Sequence, residues 1–376
     1  MQFKDILGQE KIKQRLIKTV KENRLSHAQL FLGQEGSAKL PLAIAYAQYI
    51  CCTNKQENDS CGECLSCKKM QHLTHPDLHF MYPVVKKASE KTTISKDYIK
   101  EWREFLLEND YFVSLHQWHN KINAEKKNSL ISTADCNEMI HTFSSKSYES
   151  EYKIMIIWMA ERLYHQAAPK ILKILEEPYE KTLFVLIVED QDKLLKTILS
   201  RTQLVKFLAY EDEEVESYLI QKQAIESHKA RAISLIAEGN IVKARKLATE
   251  NVDNSANYSI FRNWMLICYQ AKILALPEMI DQIAAMSREQ LKELFLYGIQ
   301  AIRNSLMINN QNQDLVRATE EEKQFVFNFA KMINQKNAAK FIHCFNEAIL
   351  HIERNANAKI MLSDISFQCM RFFKVK

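Results

Sequence analysis

The sequence predicts an α/β domain built on a parallel sheet, followed by a small helical unit and an all-helical C-terminal domain. Three observations carry this. Short, largely apolar runs recur in the first half, at 28–32, 153–158 and 183–188. Helix-like segments separate them, and runs that are apolar at successive positions suit parallel strands covered on both faces. Past about residue 208 such runs stop, and apolar residues recur only at helical spacing.

The 376 residues exceed one simple core, so two or three domains are expected. Hydrophobic content of 47% and charged content of 26% are those of a globular protein. Only six glycines and six prolines punctuate the chain, which favours long helices over a sandwich of short strands. The net charge of +5 is too small to argue for a dedicated nucleic-acid binder, which shows a denser basic stripe. No apolar run approaches the ~20 residues of a membrane span. The opening Met1 to Asp5 lacks a charged segment leading into an apolar run. A cytoplasmic, membrane-free protein is expected, and there clustered cysteines read as metal ligands rather than disulfides.

The elements follow in order. A charged helix is expected at 10–23, with Ile12, Leu16, Ile17 and Val20 on one side. The run at 28–32 ends at Gly33, and a helix follows from about 40 to 50. A further strand is expected at His79, Phe80, Met81, Tyr82 and Pro83. The lysine-rich, aromatic stretch from about 86 to 130 has no sharp period and reads as an insertion of helices and loop. Helices are expected at 133–145 and 165–177, the second stopped by Pro178. Glu211 to about Leu247 reads as a small helical bundle. Further on, Leu291, Leu294, Phe295, Gly298, Ile299 and Ile302 form one helical stripe. Phe325, Phe327, Phe329 and Met332 mark another helix.

Between the first strand and its helix lies Gly33-Gln34-Glu35-Gly36-Ser37-Ala38-Lys39-Leu40. A working G-x-x-x-x-G-K-[ST] loop needs glycines that turn amides to the phosphates, a lysine, and a hydroxyl for magnesium. Gly33, Gly36 and Lys39 are in place. Ala38 replaces a required glycine and adds a methyl where backbone and phosphate approach. Leu40 replaces the hydroxyl residue and cannot ligate magnesium. Ser37 lies on the wrong side of Lys39, and Glu35 adds negative charge. The segment is either a vestigial nucleotide site or an ordinary strand-turn-helix. Lys39 is correspondingly a residual phosphate contact or a solvated loop lysine. A motor also places an Asp-Glu pair at the tip of the 153–158 strand to manage magnesium and the attacking water. Trp158 and Met159 stand there, and Glu161 comes two residues later.

Cys52, Cys61, Cys64 and Cys67 have the spacing C-x8-C-x2-C-x2-C. Four soft donors in one loop suit a closed, tetrahedral, structural zinc. Cys51 competes with Cys52 as the fourth ligand, and an iron–sulfur cluster or free thiols are the other readings. Cys136, Cys268, Cys344 and Cys369 are scattered and read as small buried hydrophobes.

These features together resemble the delta-prime family of bacterial DNA polymerase III clamp loader subunits. Phe3 to Glu10 matches the family's N-terminal box, and Ser26 to Gly33 its strand into the loop. The cysteine spacing matches the family's zinc module and selects Cys52 over Cys51. Thr74-His75-Pro76-Asp77 follows that module. Ala168 to Pro178 matches the helix ending in Leu-Glu-Glu-Pro, and Leu199-Ser200-Arg201-Thr202-Gln203 matches the Ser-Arg-Cys segment, with Thr202 in place of the cysteine. The match covers about residues 1–208; the remainder fits by length and helicity.

The resemblance implies an AAA+ domain over 1–207, carrying the zinc module 52–67 and the 86–130 insertion. A helical lid would follow over 208–252, then an α-helical collar over 253–376. It implies a stator without intrinsic ATPase activity, in a five-subunit ring with tau/gamma motors and delta. The ring would load the sliding clamp on primer-template DNA. Arg201, with Ser200, is the implied arginine finger for the neighbouring subunit's ATP. The cofactors implied are structural zinc at the four cysteines and, at Gly33, Gly36 and Lys39, a vestigial loop where ATP binding is in doubt. The competing reading is a tau/gamma-like motor, which keeps an intact loop and an Asp-Glu pair. A stand-alone zinc DNA-binding protein is the third, and the composition lacks its basic stripe.

Overall fold

The apolar runs become one five-stranded sheet in a computed structural model that describes residues 1–86, 92–124, 129–249, 254–311 and 320–374. The first of two units, Met1–Lys246, begins with α1 (Glu10–Lys21), β1 (Ala28–Leu32), α2 (Lys39–Cys51), α3 (Leu65–Gln71) and β2 (Leu78–Met81). It continues through α4 (Ile99–Glu108), α5 (Leu115–Lys121), α6 (Thr133–Phe143), β3 (Lys153–Trp158), α7 (Ala168–Glu176) and β4 (Thr182–Val188). It closes with α8 (Lys196–Leu199), β5 (Gln203–Lys206), α9 (Asp212–Gln223), α10 (Ser227–Ala237) and α11 (Ile241–Thr249), the last of which crosses the unit boundary.

The sheet order is β2-β3-β4-β1-β5, and every pairing is parallel. β1, β3 and β4 are buried at every residue, as a sheet covered on both faces requires. α2 is likewise buried along its whole length, so its sequence is apolar nearly all round.

Three details differ from expectation. The second strand ends at Met81; Pro83 cannot donate to a ladder, and Tyr82 stacks on Trp102 at 4.1 Å instead. β5 was not expected. It is an edge strand with only Val205 buried, so it lacks the apolar run that betrays a central strand. Met332 lies beyond the end of the helix it was expected to mark, Glu320–Ala330.

The described part of the 86–130 stretch forms an aromatic core of its own; 87–91 and 125–128 lie outside the described residues. Trp102 and Trp118 are fully buried with ring centroids 5.1 Å apart, and Trp118 Nε1 donates to Pro83 O at 2.9 Å. Trp102 also meets Trp158 at 5.1 Å. The insertion thus packs on the tip of β3.

The second unit, Leu247–Lys376, contains α12 (Asn254–Tyr269), α13 (Leu276–Ala284), α14 (Arg288–Asn309), α15 (Glu320–Ala330), α16 (Gln335–Glu353) and α17 (Ala358–Phe372). Its core gathers Phe261, Trp264, Phe295, Phe341 and Phe345. The expected boundary at 252 to 253 lies outside the described residues. Cys268, Cys344 and Cys369 are buried in this core, and Cys136 in the core of the first unit.

Candidate functional site

The loop from Gly33 to Leu40 leaves the carboxyl end of β1 and enters α2. Lys39 is not solvated, contrary to one of the two readings above: it is 4% exposed. Its Nζ donates to Gly33 O and, at 3.5 Å, to Val188 O. Glu189 Oε1 lies 3.6 Å away. Burial lowers the Lys39 ammonium below its usual range, opposed by Glu189, Glu161 and Glu35. The cation is engaged by the protein's own oxygens, where a phosphate would otherwise engage it. Ser37 Oγ donates to Gln34 O at 2.8 Å, and Ala38 and Leu40 are buried.

The loop is also capped from the small helices that follow the sheet. Gly36 has φ +75, and a Cβ there would sit 1.9 Å from Asn240 Oδ1. Asn240 Nδ2 donates to Glu35 Oε1 at 3.3 Å, and Ile241 N donates to Gly36 O at 3.3 Å. Asn240 also caps α11, accepting from Lys243 N at 3.0 Å. The start of α11 therefore rests directly on the loop's backbone.

At the tip of β3, Trp158 is 3% exposed and belongs to the aromatic core. Met159 adopts φ +57 and turns the chain back. That turn carries Glu161, which sequence spacing placed off the strand tip, toward the lysine. Glu161 Oε1 accepts from Glu189 N at 2.8 Å, while its Oε2 is buried without a hydrogen bond. Burial raises the Glu161 carboxyl, and the Glu189 amide and Lys39 oppose that shift. Glu161 and Glu189 were both missed from sequence as partners of Lys39. Only the acidic character of each residue was visible.

Arg201 lies at the opposite end of the sheet. It follows α8 and precedes β5. β5 pairs with β1 in parallel, Gln203 beside Gln29, whereas the loop begins after Leu32. At ~3.3 Å per residue, that register separates Arg201 from the loop by at least about 10 Å. Arg201 Nη2 pairs with Glu176 Oε1 at 2.6 Å, and its Nη1 donates to Thr197 O at 2.9 Å. Ser200 Oγ lies 3.4 Å from the same Nη1 and itself donates to Thr197 O.

The sulfurs of Cys52, Cys61, Cys64 and Cys67 all lie within 4.8 Å of one another. Cys52 and Cys61 are 3.5 Å apart and Cys61 and Cys67 3.9 Å. A tetrahedral zinc with Zn–S near 2.3 Å sets its sulfurs about 3.8 Å apart, so the donor set fits. The amides of Cys61, Cys64 and Cys67 point at the sulfurs of Cys52, Cys61 and Cys64, at 3.3 to 3.4 Å. Such donors stabilise thiolates. Cys51 stands apart: it is buried and its thiol is pushed up to about 12 by burial. These residues would hold zinc as a closed structural cross-link. Asp59 and Ser60 tie the module to the N-terminal segment through Phe3 N, at 3.1 Å, and Gln2 Nε2.

A sequence profile described as "DNA polymerase III, delta subunit" matches residues 8–116 and 112–211. The DNA polymerase III subunit delta' of Bacillus subtilis is 28% identical over 73% of this chain and 65% of its own length. The Haemophilus influenzae subunit delta' is 24% identical over 81% of this chain and 80% of its own. The tau/gamma subunit of the same organism is 26% identical over 58% of this chain and 25% of its own. The chain thus spans just under two thirds of the first relative's length and a quarter of the third's.

Proposed function

The chain belongs to the DNA polymerase III delta subunit family, and from that premise we propose that it is the non-hydrolysing stator of a clamp loader. Tau/gamma-like motors and a delta subunit are its partners in a five-membered ring that places a sliding clamp on primer-template DNA. The delta-prime relatives support that assignment over a motor.

One observation carries the reading: the loop lysine and Arg201 stand at opposite ends of one sheet, and the lysine's end lacks the groups that handle magnesium. At the carboxyl end, the loop lysine is already engaged by Gly33, Val188 and Glu189, and no carboxylate or hydroxyl stands at Trp158, Met159 or Leu40. At the amino end, Arg201 cannot reach that loop. In this reading an arginine so placed serves a nucleotide bound by another subunit rather than its own loop. A guanidinium carries fixed charge and planar donors suited to the charge that develops on a transferring phosphoryl group. Fingers supplied in trans contribute ~10³–10⁵ in rate. The zinc module, in this reading, braces the α/β unit and touches no substrate. The helical second unit serves as the collar.

The test is reconstitution with motor, delta and clamp subunits. The isolated chain is expected to turn over no ATP above a Lys39→Ala control. Arg201→Ala should leave ring assembly intact and slow hydrolysis at the adjoining pocket. Magnesium-dependent turnover by the isolated chain would favour the motor reading. Unchanged hydrolysis in the Arg201→Ala ring would remove the finger role.

A further inference from the structure

We propose that Glu176 is the positioning residue for Arg201, fixing the guanidinium in the orientation the neighbouring phosphate requires. The inference rests on the reading of Arg201 as a finger and deepens it.

The motivating contact is the 2.6 Å pair between Glu176 Oε1 and Arg201 Nη2. Glu176 is the last residue of α7. A carboxylate at a helix C-terminus faces the negative end of the macrodipole and is disfavoured there. Arg201 supplies the cation that offsets this. The end of α7 is itself anchored: Ile174 and Leu175 are buried, and His27 Nε2 bonds Leu175 O at 2.9 Å. The Glu176 carboxylate thus projects from a rigid point.

The guanidinium is held on two sides. Thr197 O holds Nη1 at 2.9 Å, and Glu176 holds Nη2. Two nitrogens fixed against two separate helices determine the plane of the group. A guanidinium has about five N–H donors, and the contacts to Thr197, Ser200 and Glu176 use at most three of them. Two remain for an incoming phosphate. A free arginine would instead distribute over many rotamers, and each encounter would have to order it. Arg201 keeps 36% of its side chain exposed, so it is oriented without being buried.

The test uses the reconstituted ring and follows ATP hydrolysis. Glu176→Ala is expected to lower kcat about three- to five-fold, the size of an exposed ion pair expressed as rate, with the KM for ATP unchanged. Glu176→Gln, which keeps the acceptor, should stay within about two-fold of the native rate; Glu176→Lys should fall toward the Arg201→Ala value. Arg201→Ala with Glu176→Ala should be no slower than Arg201→Ala alone, because a positioning residue has nothing left to position. Thermal unfolding and ring yield are measured in parallel. A rate loss that tracks lost stability or assembly overturns the proposal, as does a Glu176→Ala ring that is unchanged or faster, or an effect additive with Arg201→Ala. If Arg201→Ala slows hydrolysis and Glu176→Ala does not, the finger stands and Glu176 falls. If Arg201→Ala itself has no effect, the finger reading fails first.

Discussion

Replacing Lys39 with methionine separates a structural lysine from a working one. In a working loop the lysine reaches the β and γ phosphates, so its loss is expected to act on nucleotide chemistry first. Here Lys39 is 4% exposed and sits among Gly33 O, Val188 O, Glu189 and Glu161. Methionine fills the same space and removes the charge, which leaves two carboxylates without their cation. Removing one partner of a buried pair costs ~3–5 kcal/mol. Glu189 is 29% exposed and Glu161 already resists ionisation, so the expected cost falls to about 2 kcal/mol. For a unit of this size that is a drop of about 4–8 °C in Tm. Differential scanning calorimetry of the whole chain reads it directly. Lys39→Met with Glu189→Gln should recover part of the loss, because the second change removes an orphaned charge. Mg-ATP provides the opposing arm. A Kd of about 10 μM at about 1 mM nucleotide would stabilise by about 2.7 kcal/mol, and the native chain is expected to show none of it. A Lys39→Met chain that unfolds with the native one, together with a native chain stabilised by Mg-ATP, would refute the reasoning.

Three further outcomes are expected. Metal analysis should find zinc stoichiometric with protein, lost when Cys61 and Cys64 are both changed to serine; iron, or no metal, would overturn the assignment. Asp77 is buried and accepts the amides of Tyr148, Glu149 and Ser150 at 2.6 to 2.8 Å, so Asp77→Asn should cost about 2–3 kcal/mol in chemical denaturation. Stability should fall as pH drops from about 6.5 toward about 4. Burial, aided by Lys153 and Arg162 respectively, lowers His79 and His119 to about 4. The unfolded chain therefore binds protons that the folded chain refuses. His119→Gln should flatten that slope, and an unaltered slope would exclude His119 as a source.

The sheet's buried strands were legible because each is a run apolar enough to suit cover on both faces. β5 was not, because an edge strand with Gln203, Leu204 and Lys206 exposed has no such run. The four cysteines were legible because they fall at close, regular spacing within one short stretch, and the structure brings their sulfurs together. The surroundings of Lys39 were not. Glu161 reaches it only through the left-handed turn at Met159, and Glu189 only because β4 lies beside β1. Both facts belong to tertiary structure. Trp158 could be read as a missing carboxylate, but its burial against Trp102 depends on an insertion with no sharp period. Arg201 was visible through its neighbours Ser200 and Thr202, while its partner Glu176 was visible only as part of a helix end.

No helix among the described residues is long and apolar enough to cross a membrane.

The contact of Asn240 and Ile241 on the loop sets what restoring the motif would require. Changing Leu40 to serine and Ala38 to glycine would rebuild its letters and leave Asn240 Nδ2 on Glu35 Oε1 and Ile241 N on Gly36 O. The loop's backbone would still be gripped by residues about 205 positions further along the chain, so spelling alone does not release it.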